Sequence, residues 1–133
     1  DLRIDTPTNI SLLFHCDRSK LFHILSNFLG NAVKFTPEGG CITLRVESQK
    51  DHLLLEVEDN GIGINEKDLQ KIFDRFIQVE TILTKTYAGT GLGLAIVREL
   101  SDVIGCQPYV FSEEGTGSRF GIKVPASLYE VLT

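Results

Sequence analysis

The chain has 133 residues and a formal net charge of -5, with 18 acidic against 13 basic side chains. That length holds one domain with a real core, and 42% apolar with 23% charged residues is a globular rather than a disordered balance. The acidic excess argues against nucleic acid or an anionic membrane as the main partner, no apolar run approaches the ~20 residues that span a bilayer, and no signal-peptide pattern opens the chain.

In chain order, Leu2–Asp5 alternates and stops at Pro7, and Leu12–Cys16 is a short apolar run expected to be a strand. Asp17 then stands as the N-cap of a long helical pattern that runs to about Phe35. Pro37-Glu38-Gly39-Gly40 is a turn signal. Strands are expected over Cys41–Glu47 and Leu53–Asp59, with a polar hairpin connection between them. A helix follows from about Glu66 to Phe73, then a long polar stretch to Thr90. Leu92–Ile104 reads as a helix stopped by Gly105. Two last strands, Tyr109–Phe111 and Ser118–Val124, flank the turn Glu113–Gly117. Mixed helices and hairpin strands argue for one sheet covered by helices on one face. The sequence contains no methionine, position 1 included, so a fragment of a longer chain is expected. Cys16, Cys41 and Cys106 are odd in number and far apart, which fits reduced thiols rather than a disulfide framework or a zinc knuckle.

Three constellations carry chemistry. At roughly 100° per residue, Leu21, Ile24, Leu25, Phe28, Leu29, Ala32 and Phe35 share one face of the first helix, and Lys20, His23, Asn27, Asn31 and Lys34 share the opposite stripe. Most such stripes are solvated surface. Asn is a mediocre helix former, however, and two of them one turn apart in mid-helix are a strange choice for mere solvation; beside the solvated-face alternative, the set with Lys34 offers amide oxygens for a hard cation and an ammonium for phosphate. In the second strand of the hairpin, period two puts Asp59 on the face of Leu53, Leu55 and Val57. A carboxylate aimed into a core needs a donor, and Asn60-Gly61-Ile62-Gly63 lets the backbone turn sharply beside it. Third, Gly89-Thr90-Gly91-Leu92-Gly93 leads into a helix, where free N–H groups and the helix dipole favour an anion. It is neither a Walker loop nor the dinucleotide fingerprint.

Order and spacing add specificity. The chain carries NxxxNAxKFT from Asn27, DNGIGI from Asp59, IFDRFIQ from Ile72, GTGLGLAIV from Gly89 and EGTGSRF from Glu114. From about Leu12 to Pro125 this resembles the catalytic ATP-binding domain of sensor histidine kinases, in the GHKL (Bergerat-fold) superfamily. The resemblance implies a two-layer α/β sandwich: a mixed, mostly antiparallel five-stranded sheet, three helices on one face and a mobile ATP lid over about Asp74 to Thr90. It implies a single domain over 1–133 that uses ATP and magnesium. Asn31 would ligate the metal, with Asn27 beside it and Lys34 on the phosphates. Asp59 would hold the adenine amine, and Gly61 and Gly63 would make room for the base. Ile64, Phe76, Lys85, Thr90, Gly91, Leu92, Gly93 and Ser118 would complete the nucleotide site. The pattern departs at His23, where many members carry Gln, at Gln78, where some carry a basic residue, and at Cys106-Gln107-Pro108, which lies away from the expected site.

By the same resemblance, the domain transfers the γ-phosphoryl group of ATP to a histidine on a dimerisation domain, within two-component signalling. His15, His23 and His52 lack the acceptor context, so the fragment is not expected to phosphorylate itself, and without the dimerising helices it is expected to be a monomer. The implied partners are the parent's histidine-bearing domain and a downstream response-regulator receiver domain, with the site in the cytoplasm. The alternatives are a GHKL ATPase, or a nucleotide-binding docking module without catalysis. The ATPases carry a Glu as general base where this chain has Asn27, and Asn cannot take a proton.

Overall fold

Parity of apolar residues along the strands decides which way the sheet faces. The computed structural model describes residues 2–5, 11–70 and 90–132. Its elements are β1 (Leu2–Asp5), β2 (Ser11–Phe14), α1 (Arg18–Phe35), β3 (Ile42–Ser48), β4 (His52–Asp59), α2 (Thr90–Ile104), β5 (Gln107–Glu113), β6 (Gly117–Pro125) and β7 (Tyr129–Leu132). The main sheet has the order β1-β3-β4-β6-β5. β1 runs parallel to β3, and the remaining pairs are antiparallel. On β4, Leu53, Leu55 and Val57 point to one face, and Phe120, Ile122 and Val124 of β6 and Val110 of β5 join them. Against that face lie Ile24, Phe28 and Ala32 of α1 and Leu94, Val97 and Ile104 of α2. Each fully buried side chain of this size removes enough apolar area to contribute roughly 1.5–3 kcal/mol. Leu69, within the helical residues 66–70, packs against the same core.

The helix ends follow local chemistry. Asp17 caps α1, its carboxylate accepting from the Lys20 N–H at 3.2 Å. α2 ends in a Schellman arrangement: Gly105, at φ +84°, donates to Asp102 O, and Cys106 N donates to Ser101 O at 2.9 Å.

Three expectations need adjustment. The apolar run before Asp17 forms β2 outside the main sheet; it pairs antiparallel with β7, a strand not anticipated from sequence. β1 takes the fifth place in the main sheet, giving seven strands among the described residues. β5 and β6 are also longer than expected, because ladder pairing continues from Phe111 through Ser112 and Glu113, back to Gln107, and on β6 to Gly117 and Pro125. The helix expected to Phe73 is described only over 66–70, and the polar stretch after it lies outside the described residues.

The candidate nucleotide site

Asp59 ends β4 on the core face, as its parity requires, and only 5% of its surface is exposed. The Gly61 N–H donates to its Oδ1 at 2.9 Å, and the Ser118 N–H also faces it from β6. Burial pushes the Asp59 carboxyl above its ordinary value, against the pull of those two N–H groups. Ser118 is the register partner of Asp59. Its hydroxyl meets that of Ser112 at 2.7 Å, and Ser112 Oγ accepts from the Ile64 N–H at 2.8 Å. Asp59, Gly61, Ile64 and Ser118 are therefore one hydrogen-bonded group, with Ser112 at its centre. An open cleft of about 720 Å³ adjoins it, lined by Asp59, Leu69, Val110, Ser112 and Ser118 among others.

The turn after Asp59 is clamped on both sides. The Ile62 N–H donates to Phe35 O at the end of α1, and Gly115 N donates to Ile62 O at 2.7 Å. Asn60 turns away, its Oδ1 accepting from Cys41 N at 2.7 Å. These contacts alter the reason for the glycines. A side chain on Gly61 would collide with the Phe35 carbonyl, and one on Gly63, at φ +70°, would collide with the Glu113 carbonyl. Both positions are required to be glycine by protein backbone, quite apart from any base.

On α1, Asn31 is 8% exposed. Its Nδ2 and that of Asn27 are buried without a hydrogen-bond partner among the described residues. An unpartnered buried amide costs about 1–3 kcal/mol, so the pair is a poor choice for folding alone. Rotation by 180° about the side-chain amide would present the oxygen instead. Lys34 is exposed one turn further on. The glycine-rich segment differs from the expected loop: Thr90, Gly91, Leu92 and Gly93 already form the first turn of α2, two residues earlier than anticipated. Their N–H groups are the free donors of a helix start. Gly89, Phe76 and Lys85 lie outside the described residues.

Sequence reasoning missed Ser112. Its signal was available: Ser112 and Ser118 are symmetric about the Glu113–Gly117 turn and pair directly across the hairpin. It also missed a clasp on the opposite sheet face. There Tyr109 Oη donates to Glu56 at 2.6 Å, and Arg45 bridges Glu56 at 3.1 Å and Glu58 at 2.7 Å.

A family model described as histidine kinase-, DNA gyrase B- and HSP90-like ATPase matches residues 16–128. The chain belongs to this family. Similar proteins within it include sensor kinases. The autoinducer 2 sensor kinase/phosphatase LuxQ of Vibrio cholerae is 39% identical over 136 residues, covering 98% of this chain and 16% of that protein. The sensor histidine kinase WalK of Bacillus subtilis is 38% identical over 116 residues, covering 86% of this chain and 19% of that protein. The chain thus spans less than a fifth of the length of these relatives. Among solved structures, the catalytic domain of histidine kinase ThkA aligns with a TM-score of 0.76 at 28% identity, over 94% of this chain and 78% of that one. Full-length ShkA in complex with AMPPNP aligns at 0.68 with 35% identity, over 93% of this chain and 25% of that one. The protein is a catalytic ATP-binding domain of the sensor-histidine-kinase type.

Proposed function

We propose that this single domain binds magnesium-ATP and donates its γ-phosphoryl group to a histidine on a separate dimerisation domain of its parent, in two-component signalling. The observation that carries the proposal is the pair of buried, unpartnered amides of Asn27 and Asn31 on the helix whose end abuts the Asp59 turn. Asp59, its carboxylate held by the Gly61 N–H, would accept from the adenine amine, with Ile64 and Ser118 shaping that end. Asn31, with Asn27 beside it, would hold magnesium through amide oxygens, a donor set that fits a hard cation. A magnesium ion held there would supply charge neutralisation for the developing phosphoryl oxygens. Lys34 would add an ammonium to the phosphates, and the N–H groups of Thr90 to Gly93 would orient them. Phe76 and Lys85 belong to the same proposal through the resemblance alone.

This division of labour is positioning and electrostatics, which is most of what phosphoryl transfer asks of a protein. Asn27 cannot serve as a general base for water, which favours transfer over hydrolysis. His15, His23 and His52 lack the sequence context of an acceptor, which supports an acceptor outside this domain. The acceptor is therefore assigned to the parent's histidine-bearing domain, the onward partner to a receiver domain, and the compartment to the cytoplasm where ATP is available. The isolated domain is assigned as a monomer.

The test is calorimetric titration of magnesium-ADP, followed by labelled ATP with the parent's histidine-bearing domain added. Binding plus phosphohistidine supports the proposal. Released phosphate without phosphohistidine would point to an ATPase, and no binding by a folded sample to a docking module.

A further inference from the structure

The polar stripe of α1 extends one turn past the residues that the proposed function uses. Ile62 N donates to Phe35 O, so the base end of the site lies at the C-terminal end of α1. At about 1.5 Å per residue, Asn31 lies roughly 6 Å, Asn27 roughly 12 Å and His23 roughly 18 Å back along the helix from Phe35. A nucleotide whose base sits at Asp59 therefore runs its phosphates past Lys34 and Asn31 towards Asn27. The next side chain on that stripe is His23, one turn beyond Asn27 and thus a near neighbour on the helix surface. Its ring is exposed, and no hydrogen bond or ion pair holds it among the described residues. Lys20, further towards the start of α1, is occupied: its Nζ lies 2.9 Å from Asp17 Oδ2.

We infer that His23 contacts the γ-phosphoryl group and so sets the preference of this domain for a nucleoside triphosphate over a diphosphate. The inference rests on the nucleotide reading above and adds a residue to it. An imidazole N–H there donates to a γ-oxygen that ADP lacks. A hydrogen bond to a charged group of this kind corresponds to about a tenfold change in affinity. ADP, which ends short of His23, is indifferent to it.

The experiment titrates ADP and a non-hydrolysable ATP analogue, both with magnesium, into the wild-type domain, His23→Ala, His23→Gln and the control His15→Gln. The expected result is a loss of about tenfold in analogue affinity for His23→Ala, with ADP changed less than twofold. His23→Gln, which keeps an N–H donor, recovers most of the loss, and His15→Gln matches wild type. If both nucleotides weaken equally in His23→Ala, His23 acts through the helix and the inference falls. If the analogue-to-ADP ratio is unchanged, it falls likewise. A folded wild-type domain that binds neither nucleotide overturns the nucleotide reading itself, which is a distinct outcome.

Discussion

The Ile62 amide donates to the Phe35 carbonyl at 3.2 Å, fastening the turn after Asp59 to the last residue of α1. A helix end has carbonyls without intrahelical partners, and this turn satisfies one of them. The contact also fixes where the Asn27–Asn31 stripe begins relative to the buried carboxylate, so site geometry and folding share one bond.

Asp59 is expected to trade stability for binding. Its carboxyl is raised in the fold, so the folded state holds the proton more tightly than the unfolded chain does. Stability is therefore lost as pH rises above the ordinary carboxylate value, and the ionised group remains a net cost at neutral pH. Asp59→Asn keeps an oxygen for the Gly61 N–H and removes that charge. The nucleotide-free variant should melt higher than wild type at pH 7 and by a smaller margin at pH 4. It should also lose at least about tenfold in ADP affinity, some 1.4 kcal/mol. A lower melting temperature at pH 7 would contradict the burial argument.

The amide of Asn31 makes a parallel case with a different cause. Replacing the buried, unpartnered amide by an apolar group of similar shape removes its desolvation cost. Asn31→Leu should match wild type in urea unfolding or exceed it by up to about 1–3 kcal/mol, while magnesium-dependent nucleotide binding disappears. A large destabilisation would show that the amide has a structural partner after all.

Two glycine substitutions should move stability in opposite directions. Gly63→Ala places a Cβ against the Glu113 carbonyl at a positive φ, and a cost of about 2 kcal/mol or more is expected. Gly30 lies in α1 with nothing within 4 Å of its Cβ position. Gly30→Ala should add about 0.5–1 kcal/mol by helix propensity. Chemical denaturation of both variants checks the pair.

The outer-face clasp should matter for folding and not for nucleotide. Burial and the Glu56 carboxylate push the Tyr109 phenol far above its usual range, so it acts as a donor throughout the working pH range. Tyr109→Phe removes a hydrogen bond to a carboxylate that is 2% exposed and should cost about 1–3 kcal/mol. Nucleotide affinity should be unchanged, since Tyr109 and Asp59 point to opposite faces of the sheet.

Cys106 should be inert in the native state. Burial, with Cys16 nearby, pushes its thiol up to about 11. The thiolate is the reactive form, so Cys106 should resist alkylation at pH 8 until the chain is unfolded. Mass spectrometry of native and denatured samples would read this directly, and prompt native labelling would overturn it.

What nearest neighbours control was legible in the chain. The Asp17 cap and 3.6-residue period set α1, the parity of β4 turned Asp59 inward, Gly105 stopped α2, and the ordered motifs identified the family. These are local signals, because caps, periods and turn residues act within a few positions of chain. The rest depends on contacts between distant segments. β2 pairs with β7 from the other end of the chain, a closure that neither short segment specifies. The collisions that demand Gly61 and Gly63 come from Phe35 and Glu113, and the central place of Ser112 comes from the β5–β6 register. The stranded amides of Asn27 and Asn31 appear only once α1 is packed. Whether a buried polar group has a partner depends on what folding brings within 3 Å, and that distance is set by burial and register across the sheet rather than by any run of residues.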